Sequence, residues 1–132
     1  MNIKDLPRIE LCNVKTPIEK LNNLSKEFKN NIYIKRDDLL GIGLGGNKVR
    51  KLEYILGDAL EKKADIVITS GGVQSNHVRL TVACANRVGI KTVAVLVGSE
   101  PSKYKGNTLL DKVLGAEIHF ADIKNKEGLS TG

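Results

Sequence analysis

The chain has 132 residues, a hydrophobic fraction of 41%, a charged fraction of 27% and a formal net charge of +6. That is the profile of an ordinary globular domain with a core of its own, not of a disordered segment. The basic residues spread evenly along the chain and the few aromatics stand apart, so neither a basic patch nor a stacking platform forms, which argues against a nucleic-acid partner.

Residues 1–16 read as an extended lead-in. At Thr16-Pro17 threonine can cap and proline can take the first helical position, which predicts a short helix with Leu21, Leu24 and Phe28 on one face. After the turn Asn30-Asn31 a strand is predicted over Ile32 to Arg36, followed by a glycine loop and a helix from about Asn47 to Glu61. Asp65 to Thr69 reads as a buried strand and Ser70-Gly71-Gly72-Val73-Gln74 as a loop. Ser75 can cap a helix running to about Val88, closed by Gly89. A further buried strand covers Lys91 to Val97, a helix about Asn107 to Leu114, and a last strand Ala116 to Phe120.

Four strands alternating with three connecting helices predict an α/β fold, an open parallel sheet with right-handed crossovers and flanking helices. Ligands in such sheets bind beyond the carboxyl ends of the strands. The loops 39–46 and 70–74 both lie on that edge and each delivers a helix N-terminus, so Lys48 and the trio Ser75-Asn76-His77 are expected to face one crevice if their strands are neighbours. The polar stretch 122–132 stops without completing another element. The expectation is therefore an incomplete fold: 1–46 as lead-in, first helix, strand and glycine loop, and 47–132 as a truncated α/β region.

Cys12 and Cys84 are far apart in sequence and unlike in setting, and resemble neither a disulfide framework nor a metal site. Met1-Asn2-Ile3-Lys4-Asp5 opens no apolar run of signal length, and no stretch of about 18 apolar residues follows, so no membrane partner is expected. A reducing cytoplasm is the simplest address.

Lys48 is the most informative residue. It stands where Gly45-Gly46-Asn47 gives way to a helix whose apolar positions Val49, Leu52, Ile55, Leu56, Ala59 and Leu60 form one stripe, and helical projection sets it within about 60° of the stripe's centre. Arg50 projects to nearly the opposite face and Lys51 lies between. Three cations thus crowd a helix N-terminus, where the dipole disfavours each by about 0.3–1 kcal/mol. The bland alternative has Arg50 and Lys51 solvated and Lys48 snorkelling along the apolar edge. Gly41, Gly43, Gly45 and Gly46 favour a ligand-binding reading, because glycine costs stability where its conformational freedom is unused. A cofactor offering an aldehyde to an amine and a phosphate to cations would satisfy the arrangement.

Gly41-Ile42-Gly43-Leu44-Gly45-Gly46 matches G-x-G-x-x-G, but Lys35, Arg36, Asp37 and Asp38 intervene between strand and loop and no acidic residue ends the next strand, which argues against a dinucleotide site. A phosphate-binding P-loop fails because Val49 fills the place of the metal-binding hydroxyl. In Gln74-Ser75-Asn76-His77, a cap alone needs only Ser75; two preceding glycines and free N–H groups make a seat for a carboxylate. His77 has no acidic neighbour in sequence, so a serine–histidine hydrolase is unsupported. His119 reads as a packed residue on the last strand.

The runs Lys35-Arg36-Asp37-Asp38-Leu39 through Gly45-Gly46-Asn47-Lys48-Val49-Arg50-Lys51-Leu52-Glu53, Gly57-Asp58-Ala59-Leu60, Thr69 through Gln74-Ser75-Asn76-His77-Val78-Arg79, and Gly106-Asn107-Thr108-Leu109-Leu110 resemble the D-cysteine desulfhydrase and 1-aminocyclopropane-1-carboxylate deaminase family. These are pyridoxal-phosphate enzymes of the tryptophan synthase β-subunit fold (fold type II). Leu80 stands where many members carry glutamine. The resemblance implies that Lys48 forms the Schiff base with pyridoxal 5'-phosphate, Asn76 binds its ring hydroxyl and Lys51 helps hold its phosphate. It also implies that Ser75, with the backbone around Gln74 and His77, binds the substrate carboxylate or takes part in proton chemistry. The expected activity is breakdown of a small amino acid to ammonia and a 2-oxo acid, with a homodimer left open for the full-length protein. Members run more than twice this length, so the 132 residues alone are expected to be inactive. The competing reading is a non-catalytic α/β fragment or interaction module that retains the motif residues.

Overall fold

The computed structural model describes residues 2–122; the expectation of an unfinished polar tail lies, from residue 123 on, outside the described residues. Near the N-terminus β1 (Ile18–Lys20) pairs antiparallel with β2 (Tyr33–Lys35), Ile18 opposite Lys35 and Lys20 opposite Tyr33, and α1 (Asn22–Glu27) joins them. Two expectations are corrected here: no helix starts at Pro17, and β2 is not part of the parallel sheet. Thr16 spends its hydroxyl on Asp37 Oδ1 (3.2 Å) rather than on a helix end, and the Pro17 carbonyl accepts the Arg36 N–H (3.0 Å), which lays 16–20 alongside 33–36. All of β2 is exposed, unlike a strand in a sheet covered by helices. Leu24 and Phe28 are exposed too, so the face expected for the first helix is not buried.

The second sheet is parallel, in the order β3 (Ile66–Gly72), β4 (Lys91–Val97), β5 (Glu117–Ala121), with α2 (Lys48–Glu61), α3 (Asn76–Arg87) and α4 (Gly106–Val113) around it. It has three strands among the described residues, not the four expected. β3 runs past its predicted end: Ser70, Gly71 and Gly72 pair with Val95, Leu96 and Val97. Gly71 permits this, because a Cβ there would lie 2.6 Å from Ser75 Oγ.

Helix α3 occupies the centre, with every residue from Val78 to Ala85 buried. Val78 and Val82 meet Ala94 and Leu96 of β4, with Ile118 and Phe120 of β5 alongside. Its other side, Leu80, Ala83, Cys84 and Ala85, joins Val49, Leu52 and Leu56 of α2 together with Leu11, Leu40 and Ile42. Each fully buried leucine or valine here contributes roughly 1.5–3 kcal/mol. Burial pushes the Cys84 thiol up to about 12, and both cysteines are free.

The buried face of α2 is rotated from the predicted stripe. Val49, Leu52 and Leu56 are buried as expected, but Ile55 and Leu60 are exposed and Glu53 and Gly57 are buried instead. The lead-in explains the rotation. The Glu53 carboxylate accepts from Arg8 Nε (2.8 Å), Arg8 Nη2 (2.6 Å) and Leu11 N (3.2 Å), and Ile9 N–H donates to the Glu53 carbonyl (3.0 Å). Gly57 lets that segment pass, since a Cβ would stand 2.7 Å from the Pro7 carbonyl oxygen.

Asp111 of α4 is 1% exposed and neither carboxylate oxygen makes a hydrogen bond among the described residues. Burial raises its carboxyl from 3.8 to about 6, with the charge of Arg79 opposing the rise. A folded value above the unfolded one means that this group's contribution to stability is complete below 3.8 and lost as pH rises through about 6. We predict that Asp111→Asn removes this component, at most roughly 3 kcal/mol, from the pH dependence of thermal unfolding. Equal slopes in the two proteins across that window contradict the assignment.

Candidate functional site

The glycine loop is folded back on the residues that precede it and pressed onto α3. Gly46 N–H donates to the Asp37 carbonyl (2.8 Å), and Gly45, at φ +72°, comes so close to residue 38 that a Cβ would stand 1.9 Å from the Asp38 carbonyl oxygen. At Gly43 a Cβ would meet Ala83 Cβ at 2.6 Å, and at Gly46 it would meet Leu80 Cδ1 at 3.1 Å. Leu80, where the family resemblance led to glutamine, is thus a core residue under the loop.

Lys48 opens α2 directly after this loop. Of the three cations in that turn, Arg50 is not left to solvent or to a ligand: its Nη2 and Nε donate to Asp37 Oδ1 (2.6 Å) and Oδ2 (2.8 Å), and Nη2 also reaches Thr16 Oγ1 (3.1 Å). The Arg50 guanidinium holds the Asp37 carboxyl below the ordinary carboxylate range. Lys48 is half-buried at the margin of the rotated apolar face, its Nζ 3.3 Å from Asn47 Oδ1, and Lys51 is exposed. Neither lysine forms an ion pair among the described residues.

At the start of α3, Ser75 is the N-cap with φ −65° and ψ 121°, and its Oγ accepts the Val78 N–H (3.3 Å). The first N–H groups of a helix lack partners within it, so with Val78 satisfied those of Asn76 and His77 remain directed outward. Asn76 Oδ1 accepts from Arg79 Nη2 (3.2 Å) and Asn107 Nδ2 (3.0 Å). These two donors orient the amide and leave Asn76 Nδ2 as the end that donates. His77 is half-buried; desolvation, then the charges of Lys51 and Lys48, hold its imidazole below the ordinary histidine value. Both free ammonium groups therefore act on the beginning of α3, and Arg79 Nη2, 3.4 Å from the Gly45 carbonyl oxygen, ties that helix to the glycine loop.

Gln74 faces elsewhere. Its side chain caps α4: Oε1 accepts the Asn107 N–H (2.8 Å) and Nε2 donates to the Lys105 carbonyl (3.0 Å) and Thr108 Oγ1 (3.4 Å). His119 is exposed on edge strand β5 and bonded to Glu117 Oε1 (2.8 Å), which corrects the expectation that it is packed; Ile118 and Phe120 point to the core and leave residue 119 on the other face. Arg79 and Asn107 entered the sequence reading only as members of the motif runs, with no role of their own, and Asp111 did not enter it. Only Asn107 carried a usable signal, a polar side chain after Gly106 at a helix start. A cleft of about 410 Å³ beside Lys20, Asn22, Ser25, Lys26 and Lys29 shares no residue with this arrangement. Among the described residues no three or more histidine, cysteine, aspartate or glutamate side chains cluster so as to hold a metal ion, and no helix is long and apolar enough to cross a membrane.

Residues 9–131 match the family model described as pyridoxal-phosphate dependent enzyme. The chain is 53% identical over 119 residues to a Pyrococcus horikoshii protein provisionally named 1-aminocyclopropane-1-carboxylate deaminase, covering 90% of this chain and 36% of the relative. It is 42% identical over 128 residues to a D-cysteine desulfhydrase of Yersinia pestis, covering 93% of this chain and 39% of that protein. A solved structure of an ACC deaminase homologue superposes with a TM-score of 0.84 at 52% identity, covering 92% of this chain and 37% of the other. An L-serine ammonia-lyase from Rhizomucor miehei shares the fold at a TM-score of 0.64 and 19% identity. The chain thus spans little more than a third of the length of the relatives it matches.

The cap on α4 is open to a local test. Gln74→Ala removes the acceptor for the Asn107 N–H and should cost about 1 kcal/mol. Amide exchange at Asn107 to Leu109 is expected to accelerate about fivefold while α2 is unaffected; unchanged exchange in α4 would remove Gln74 from this role.

Proposed function

The chain belongs to the pyridoxal-phosphate-dependent enzyme family, and from that premise we propose that it supplies the amine-bearing half of a site that breaks down a small amino acid to ammonia and a 2-oxo acid. The substrates proposed for the full-length protein are D-cysteine, giving pyruvate and sulfide, and 1-aminocyclopropane-1-carboxylate, giving 2-oxobutanoate, the activities named in its relatives. The observation that carries the reading is the donor set around α3: two ammonium groups without an ion pair among the described residues and an amide turned so that its N–H end is available.

That set fits the cofactor. Lys48 Nζ meets the aldehyde, Lys51 the phosphate, and Asn76 Nδ2 the ring oxygen. When bound, the cofactor supplies an electron sink for the bond-breaking step. Lys48 is proposed both to attach it and to hold or move a proton at the substrate. Low basicity of His77 keeps its imidazole neutral beside two cations, so it adds no further positive charge. Ser75 and the outward N–H groups of Asn76 and His77 are proposed to seat the substrate carboxylate, which the helix dipole favours. Gln74 contributes only through its backbone in this reading, because its side chain is engaged with α4. We also propose that the work is done in the cytoplasm.

In the full-length protein borohydride should fix the cofactor on Lys48, and Lys48→Ala should abolish the visible band. Lys51→Ala should weaken cofactor retention while the band persists. Residues 1–132 alone, lacking the remaining two thirds found in the relatives, should make product no faster than free pyridoxal phosphate. Trapping on another lysine, or turnover by the 132 residues that Lys48→Ala abolishes, sinks the corresponding part of the proposal.

Ser75→Gly separates cap from chemistry. Glycine is tolerated at N-caps at a cost of a few tenths of a kcal/mol, so kcat/KM should fall far more than stability. Full activity in the glycine variant reduces Ser75 to a cap.

A further inference from the structure

Arg79 is 6% exposed, and a buried guanidinium must be met by partners or it destabilises the fold. Its hydrogen bonds run from one nitrogen: Nη2 donates to the Gly45 carbonyl (3.4 Å) and to Asn76 Oδ1 (3.2 Å), while Nε and Nη1 have no hydrogen-bond partner among the described residues. The opposite charge that acts on it is Asp111 of α4, itself 1% exposed. The two acceptors it spans belong to different parts of the proposed site. Gly45 lies three residues before Lys48, in a loop whose path is set by contact with Asp38 and with α3. Asn76 is the first residue of α3.

We propose that Arg79 is a positioning residue, whose buried guanidinium locks the loop that delivers Lys48 to the amide of Asn76 and keeps the N–H end of that amide toward the cofactor. This rests on the reading of Lys48 and Asn76 given above. An amide is close to symmetric in shape, and only its hydrogen bonds decide which end faces a ligand. Asn107 supplies the second donor to Oδ1, but it is carried by the first turn of α4, whereas Arg79 is on the same helix as Asn76, one turn away. Removing Arg79 leaves the amide with a single donor and frees the Gly45 carbonyl, so both the amide and the loop lose a constraint together.

The test uses the full-length protein and pyridoxal phosphate as the probe, with cofactor affinity and the visible band of the bound cofactor measured in folded Asn76→Ala, Arg79→Met and the double variant. Arg79→Met is expected to weaken binding about tenfold and to shift the band in the same direction as Asn76→Ala, and the double variant to lose clearly less than the product of the two single losses, the part beyond Asn76→Ala being what Arg79 contributes through Gly45. Arg79→Leu, which likewise has no donor for Gly45 or Asn76, should behave like the methionine variant and serves if that variant does not fold. A folded Arg79 variant with wild-type band and affinity, or losses that multiply in the double variant, overturns the proposal while Asn76→Ala still shows its effect. A silent Asn76→Ala identifies instead a failure of the underlying site reading, and this inference falls with it.

Discussion

Helix α3 is buried against two different surfaces at once, and the rest of the molecule is arranged around that constraint. One side must fit β4 and β5, the other α2 and the glycine loop. A helix enclosed this way must find partners inside the protein for most of its polar groups. Thr81 returns its hydroxyl to the His77 carbonyl (2.8 Å), and Arg79 spends Nη2 on Gly45 and Asn76. The glycines follow from the same contact, since Ala83 leaves no room for a side chain at Gly43 and Leu80 would crowd one at Gly46, where φ is +133°. In this chain the glycine loop is thus a packing solution as much as a binding loop.

Electrostatics then sort the residues of that loop. Three cations in the first turn of α2 would each oppose the helix dipole. Asp37 neutralises Arg50 from the preceding turn and Thr16 joins them, anchoring the hairpin region to α2. Glu53 anchors the lead-in to the same helix through Arg8 and Leu11. With those acids committed, Lys48 and Lys51 are left without an ion pair among the described residues. The helix propensity of the segment and its polar chemistry thus meet in a single turn.

The parts that could be read from the residues are those where local signals and burial agree. The order β3–α3–β4, the Ser75 cap and the Gly89 closure fall where capping and turn chemistry place them, and β4 was expected over its observed span, while β3 continues through Ser70, Gly71 and Gly72, which read as loop. The N-terminal hairpin was misread because Thr16-Pro17 imitates a helix start, while the partners that actually hold it, Asp37 and Arg36, are distant in sequence. Buried Glu53, Arg79 and Asp111 were invisible for a different reason: charged side chains count as surface in any hydrophobic pattern, and only tertiary contacts reveal otherwise. Lys48 and the trio Ser75-Asn76-His77 were each legible as a helix start behind a glycine-bearing loop, but the shared sheet edge expected to join them was not: β2 lies outside the parallel sheet, and the glycine loop instead meets α3 through Gly43, Gly46 and the Arg79–Gly45 contact. Gln74 entered only through its backbone, by the family resemblance, and the capping of α4 by its side chain had no sequence signal.

One face of the parallel sheet carries α3; along the other, Ile66 and Ile68 of β3 and Val97 of β4 are exposed among the described residues. Parallel strands are ordinarily covered on both faces. The donors are nevertheless oriented by contacts internal to residues 37–107: Asp37 with Arg50, Arg79 with Gly45 and Asn76, and Asn107 with Asn76 and Gln74. Preorganised donors act without reorganising at the moment of reaction, and their effect grows as water is excluded. Orientation is thus a property of this region, while exclusion of water requires surface that these residues leave open, and the two can be lost independently by mutation.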